Sequence, residues 1–424
     1  MNKVTYKDYG FLGLLTLINI LNFVDRSLLA SFANFIVPDL GLTDTQFGYL
    51  VGLAFLFFYS IMGIFMGVLA DTLHRPRLIA FGIALWSLFT IASGAARGFI
   101  SMGVARMFIG VGESILTPSA VSSFSDRFPD SRMGFVIGFY YMGIPIGAGL
   151  SLFIAGTLGP VIGWRNCFYI LGALGLILAV VMLFIRETPR RIKLEDNNEE
   201  LDDKLNFTEK MKALFVVLKN SPILIYMILA GVIIHVTLGG VNFDQLWLVQ
   251  ERGFDRAEIA TLAGVLVLIG GVGGNLFGGI IGDIFVSKFN QPRSIFLFWI
   301  ALLSSPFVVI YRLVDAESIW IPFGIFIGAF QLGCFWGPVF ATIQEIAPQH
   351  IRATLVAFYI LTLNLLGLAV GAVVAGMSID YLREANVADP YTWSLLGLGI
   401  FGFLSIPCFY LAAREHYKIN EVRK

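Results

Sequence analysis

Charge is scarce in this sequence: only 14% of its 424 residues are Asp, Glu, Lys or Arg, and basic and acidic residues balance at 29 each. That balance gives no basic surface with which to hold nucleic acid. Cysteine is almost absent. The three present, Cys167, Cys334 and Cys408, fall inside apolar runs at unrelated spacings, which excludes a disulfide framework and a metal-ligand pattern. Missing too are a phosphate-cradling loop, a nucleophile triad and paired catalytic groups at working spacing, so neither an enzyme nor an ATP-driven pump is expected and no cofactor is implied. The first apolar segment is about twice the length of a signal-peptide h-region and has no small-residue cleavage site, which excludes a cleavable signal.

What fills the chain instead is apolar. Hydrophobic residues make up 57% and mean hydropathy is +0.80, the signature of a multi-pass integral membrane protein. A spanning helix needs about 20 mostly apolar residues. Twelve such segments can be drawn, roughly at 10–37, 45–70, 78–97, 100–124, 132–156, 164–185, 222–250, 257–281, 293–313, 318–345, 351–380 and 390–413. The expected fold is therefore an all-α membrane protein of twelve transmembrane helices. It divides into a six-helix bundle over residues 1–185, a linker over 186–221, and a second six-helix bundle over 222–424. The linker carries an acidic run from Glu195 to Asp203 and an amphipathic stretch from Thr208 to Lys219 that reads as an interfacial helix. The 45 glycines fit close helix packing in lipid.

An even number of spans puts both termini on one side. That side holds 21 of the 29 Lys and Arg and the other holds 6, so the positive-inside rule places both termini in the cytoplasm. The remaining two, Arg26 and Arg106, lie inside spans. The halves also repeat each other. Gly41 precedes Asp71 by 30 residues and Gly253 precedes Asp283 by 30. Pro118, Pro129 and Arg132 are echoed by Pro338, Pro348 and Arg352, and Trp164 by Trp393. Such symmetry builds many transporters, with the site where the halves meet near the midplane.

Charges at that depth mark function by default, because burying them in lipid costs several kcal/mol unless they face a partner, a cavity or a ligand. Asp25-Arg26 lies midway along the first segment and Glu113 midway along the fourth. Asn22 and Arg26 share a helix face, while Asp25 points about 100° away. Arg106, Glu113 and Thr117 share a face of the fourth segment. Matching depths set Arg26 toward Glu113. A carboxylate in a dry cavity prefers its neutral form and a neighbouring Arg favours the ionised one, so opening the cavity to either side could load and release a proton at Glu113. Arg26 could also hold a phosphate or carboxylate headgroup, in competition with Glu113. A buried structural ion pair is the alternative. Further candidates for the cavity are Tyr140, His235, Gln331, Trp336 and Asn364; packing is the competing role for each. A cytoplasmic gate is read from Gly67, Asp71, Arg75, Arg77, Arg106, Asp126 and Asp283, with the glycine permitting close helix approach and Arg75 or Arg77 pairing with Asp126.

The Gly67-x-x-x-Asp71-x-x-x-Arg75-x-Arg77 pattern, repeated at Gly279 and Asp283, resembles the loop motif of the major facilitator superfamily, although Thr72 and His74 stand where Arg and Gly are usual. Arg106-x-x-x-Gly110-x-Gly112 resembles a second superfamily motif. Three stretches go further and look like spinster-family transporters: Leu21 to Arg26, Arg106 to Ser114, and Phe139 to Gly149. Arg186-Glu187-Thr188-Pro189-Arg190 agrees, and the compact chain looks like a bacterial member, hence a cytoplasmic-membrane protein. The resemblance implies movement of amphipathic lipids and functional roles for Glu113 and for Asp25-Arg26. The expectation is a proton-coupled secondary transporter, with Glu113, Asp25 and Arg26 as the coupling residues, driven by a proton gradient and acting as a monomer on an amphipathic small-molecule or lipid substrate. A carboxylate or drug transporter of the same superfamily is the first alternative and a non-transporting receptor the second.

Overall fold

The structure, a computed structural model, describes residues 4–189, 207–348 and 351–422. Among them lie twelve helices long and apolar enough to cross a membrane. They are α1 Tyr6–Ser31, α2 Asp44–Gly67, α3 Arg75–Gly94, α4 Phe99–Arg127, α5 Arg132–Thr157, α6 Trp164–Leu183, α7 Pro222–Val241, α8 Arg256–Ser287, α9 Arg293–Leu313, α10 Trp320–Ile346, α11 Thr354–Glu384 and α12 Pro390–Lys418. In lipid every backbone group must be satisfied within its own helix, which leaves runs of this composition no other spanning form. Starts are set locally. Thr43 caps α2 by accepting from the Gln46 N–H at 3.1 Å, and Asp255 caps α8 by accepting from Ala257 and Glu258 at 2.8 and 3.0 Å. Those two N–H groups hold the Asp255 carboxyl below the usual carboxylate range. The turns before these helices need φ of +59° at Gly41 and +72° at Gly253, a conformation only glycine adopts freely, so the repeat seen in the sequence is a repeat of backbone shape.

Proline decides where helices bend. Helical geometry is interrupted in α4 at Ser114–Ile115 and in α5 at Met142. Pro118 and Pro145 stand four residues beyond Ser114 and Tyr141, where the ring clashes with the preceding turn. The bend in α4 thus falls directly after Glu113. In α11 the interruption is a π-helical segment, Leu363–Ala369, which contains Asn364.

The cores show how the halves meet. On the face that bears the termini there are two cores, one around Phe124, Trp86 and Tyr140, which α11 touches through Ala369, and the other around Met227, Phe335 and Tyr359. On the opposite face a single core takes residues from both halves, Phe32, Phe47 and Phe168 with Phe243, Trp247 and Leu395. Two seams close it. Where α5 crosses α8, a Cβ on Gly149 would stand 2.7 Å from the Gly264 carbonyl, and one on Gly264 would stand 2.7 Å from the Gly149 carbonyl. Where α2 crosses α11, Gly48 abuts Ala372 and Gly376 abuts the Asp44 carbonyl.

Of the linker, the helix Phe207–Asn220 is described and the acidic run lies outside the described residues. Leu214 is buried in the second half's core while Phe215 and Val216 are exposed, as an interfacial helix requires. One echo fails: Trp164 is 5% exposed at the start of α6, whereas Trp393 is 52% exposed on α12. Tyr391, 2% exposed, fills the inward position near the start of α12 instead.

Candidate functional site

Two glycines bring α4 into place. A Cβ on Gly110 would stand 2.6 Å from the Phe55 carbonyl on α2, and one on Gly112 would stand 2.8 Å from the Trp86 nitrogen on α3. This close approach carries Glu113, three residues past Gly110, to the side of α1. There Arg26 donates from Nε and Nη2 to Glu113 Oε2 at 3.1 and 3.0 Å. The second guanidinium, of Arg106, donates to the backbone carbonyls of Arg26 at 3.3 Å and Leu50 at 3.4 Å, tying α4 to α1 and α2. Asp25 turns away from both and accepts from the Thr90 hydroxyl on α3. Two carboxyl groups and two guanidiniums thus share one buried region.

The Arg26 guanidinium lies against the rings of Tyr59, Phe23 and Phe55, at 4.3, 4.7 and 4.9 Å from their centroids. Aromatic faces hold a guanidinium by cation–π attraction. Its side chain is 19% exposed while that of Glu113 is fully buried, so the cation is the member of the pair that reaches open space. Glu113 meets Arg26 through Oε2, and the Asn22 amide lies beside the same carboxyl group. Asn19, on the Asn22 face, donates to the Tyr140 carbonyl at 2.9 Å and fixes α1 to α5.

The other residues expected in the cavity divide. Thr117 is half-buried, with its hydroxyl 3.4 Å from that of Tyr140. Tyr140 is fully buried, its ring against Phe124 and its hydroxyl toward Thr117, and Tyr141 is the half-buried member of the pair. His235 is packed between the rings of Phe335 and Trp336, with Nδ1 at 2.8 Å from the Gly231 carbonyl one turn back. That is a packing environment. Gln331, Trp336 and Asn364 are half-buried in the second half, and the two amides make no hydrogen bond among the described residues.

The residues read as a cytoplasmic gate form two networks, each inside one half. Arg75, at the first turn of α3 and 1% exposed, donates to Asp126 at 2.6 Å, to Glu187 at 2.8 Å and to the Thr188 carbonyl at 2.9 Å. Arg293, at the matching first turn of α9, bonds Asp283 at 2.9 Å and also Glu345. Arg77 is exposed and makes no ion pair among the described residues. The side chain of Asp71 lies outside the described residues. Gly67 has nothing within 4 Å of where a Cβ would stand, so the expected close approach there is not made in this form. Arg106 does not belong with these residues, since α4 runs from the opposite face and Arg106 is in its first half beside Arg26. Glu187 joins this network although its place after the last apolar residue of α6, where charge is ordinary, gives no sign of it.

Removing Arg75 leaves two facing carboxylates without their shared cation, and breaking a part-buried pair from one side costs about 3 kcal/mol. Arg75→Ala is therefore expected to lower the thermal midpoint of the detergent-purified protein by several degrees, with Arg77→Ala within a degree of the parent. Equal midpoints for the two variants would remove the structural role assigned to Arg75.

Comparison with known proteins agrees with this architecture. The model of the Major Facilitator Superfamily matches residues 15–372. An MFS-type efflux pump of Mycolicibacterium smegmatis is 27% identical over 98% of this chain and 96% of its own length. Spinster homolog 1 of Xenopus laevis is 25% identical over 88% of this chain and 73% of its own. Among solved structures, a bacterial homolog of the human lysosomal transporter spinster, in an inward-facing and unoccupied conformation, superposes with a TM-score of 0.84 at 23% identity and covers 99% of each chain. The chain belongs to the Major Facilitator Superfamily.

Proposed function

We propose that this superfamily member is a proton-coupled secondary transporter that moves an amphipathic, anionic organic or lipid-like molecule by alternating access. Glu113 acts as the protonation switch and Arg26 as its partner. The observation that carries this reading is the asymmetry of the pair: a fully buried carboxyl group and a partly exposed guanidinium. Protonation of Glu113 removes the charge that holds Arg26 and frees its donors for a carboxylate or phosphate headgroup. Departure of that anion restores the bond. Substrate and proton thereby compete through one cation, which couples their movements. The aromatic faces around Arg26 suit the apolar body of the same molecule.

The excess of Lys and Arg on the terminus-bearing side supports cytoplasmic termini. With that orientation the shared core and both glycine seams seal the outer side, and the form described is inward-facing. The bacterial relative supports a cytoplasmic membrane of a bacterium. The site lies within a single chain, so a monomer suffices for the cycle. The name of that relative, an efflux pump, also supports export as a second reading, in which Arg26 would serve Glu113 alone.

A thermal-shift screen of lysolipids, organic anions and drugs against the purified protein tests the substrate class, because a ligand that binds only the folded state raises its midpoint. A hit is then followed in proteoliposomes. Flux that responds to an imposed pH gradient is the expected result; flux indifferent to the gradient removes the proton coupling. Binding without flux makes the protein a receptor.

A further inference from the structure

On the sealed side α2 and α11 exchange carboxylates. The first N–H groups of a helix have no partner within it, and two of these on α2, from Asp44 and Thr45, donate to the oxygens of Asp380 at 3.2 and 2.8 Å. Asp380 belongs to the last turns of α11, in the opposite half. In return the Asp44 carboxylate, in the first turn of α2 and 2% exposed, accepts from Arg383 at 2.5 Å and from the Tyr391 hydroxyl at 2.7 Å. Tyr391 is itself held by Glu251, which accepts from its backbone N–H at 2.7 Å. Each half therefore supplies the cap or counter-charge for a helix of the other.

We propose that Asp380 and Asp44 form a reciprocal helix-cap latch whose release lets the outer side open. An acid at a helix N-terminus gains from the backbone N–H groups and from the positive end of the helix dipole. Here both gains exist only while the halves are in contact, since the local cap at Thr43 serves Gln46 and leaves Asp44 and Thr45 to Asp380. Separation returns these groups to water. The latch flank already borders it, because Arg383 and Tyr391 line a cleft of about 480 Å³ on this side. The cost of release is thus partly offset by hydration, which suits a contact that must break in every cycle.

The latch rests on the alternating-access reading, and a conformational readout that needs no substrate keeps the two separable. Nitroxide labels at Val161 and Glu317, exposed positions on opposite halves, report the outer separation in full-length chain whose Cys167, Cys334 and Cys408 are replaced by alanine. Asp380→Asn keeps the shape of the side chain but loses the charge, and charge-assisted bonds are roughly twice as strong as neutral ones. It is expected to raise the open-to-closed ratio about tenfold, a change of roughly 1.4 kcal/mol, and to speed hydrogen exchange at the Asp44 and Thr45 amides. Tyr391→Phe removes one bond and is expected to shift the ratio in the same direction by a smaller factor. Asp39→Asn breaks an ion pair with Arg165 inside the first half and should leave the distances unchanged. Faster amide exchange with an unchanged distance distribution in both latch variants makes the contact a local cap and overturns the proposal. An equal shift from Asp39→Asn overturns it as well. The proteoliposome flux assay on the parent protein decides the alternating-access reading independently.

Discussion

Glu113→Gln is expected to abolish accumulation of substrate against its gradient while sparing exchange of substrate for substrate. Glutamine keeps the length and one acceptor oxygen, so Arg26 retains a partner and the packing of α4 on α1 is preserved. What is lost is the proton. One pH unit is worth about 1.36 kcal/mol, enough to sustain roughly tenfold accumulation for each coupled proton, and without a titrating group at this position that ratio should fall to one. The measurement is proteoliposome uptake with and without an imposed pH gradient, beside counterflow at equal pH. Full gradient-driven uptake in the variant would sink the coupling role of Glu113. Asp25→Asn is the informative companion. Asp25 points to Thr90 on α3 and away from Arg26, so its neutral isostere is expected to keep gradient dependence. If Asp25→Asn abolishes accumulation and Glu113→Gln does not, the proton route runs behind α1 through Asp25.

Gly264→Val is expected to prevent the outer side from closing. At this crossing the α5 backbone occupies the space of a side chain: a Cβ would meet the Gly149 carbonyl at 2.7 Å and the Phe153 nitrogen at 2.8 Å. Backbone cannot move aside as a flexible side chain can, and overpacking of this kind costs about 1–3 kcal/mol. The clash is between halves, so it penalises the closed arrangement rather than the fold of either bundle, and the outward-open population should rise about tenfold or more. Transport should fall by a similar factor because the cycle stalls on one side. Gly273 lies on the same helix with nothing within 4 Å, so Gly273→Val serves as the control. Labels across the outer side together with flux check both. A Gly264→Val protein that closes and transports normally would show that the seam is not where the gate seals.

The lipid environment explains how much of this was legible in the sequence. Apolar runs of about 20 residues cross hydrocarbon as helices, so apolar length alone located all twelve spans. Spacing at 3.6 residues per turn placed Arg26 on a different face from Asp25 and put Arg106 with Glu113. Depth matching then set Arg26 opposite Glu113, and the structure brings them to 3.0 Å. Helical phase states which way a side chain points but not what stands there. The rings of Phe55 and Tyr59 around Arg26 and Thr90 behind Asp25 come from other helices, and Glu187 beneath Arg75 from the segment after α6; nothing in a run of Phe and Leu shows which neighbour abuts.

The sequence by itself determined the fold class, the twofold repeat down to the φ > 0 turns at Gly41 and Gly253, and the charged residues at mid-membrane. These follow from local chemistry, namely apolar length, helical period and the backbone freedom of glycine. Only the tertiary structure decided which charges pair and which face is sealed. The Asp44–Arg383 contact spans 339 positions of chain, and each of its members looks like an ordinary helix-end charge in isolation. Charge pairing across a seam depends on the distance between two rigid bundles, and no periodicity within either bundle encodes that distance.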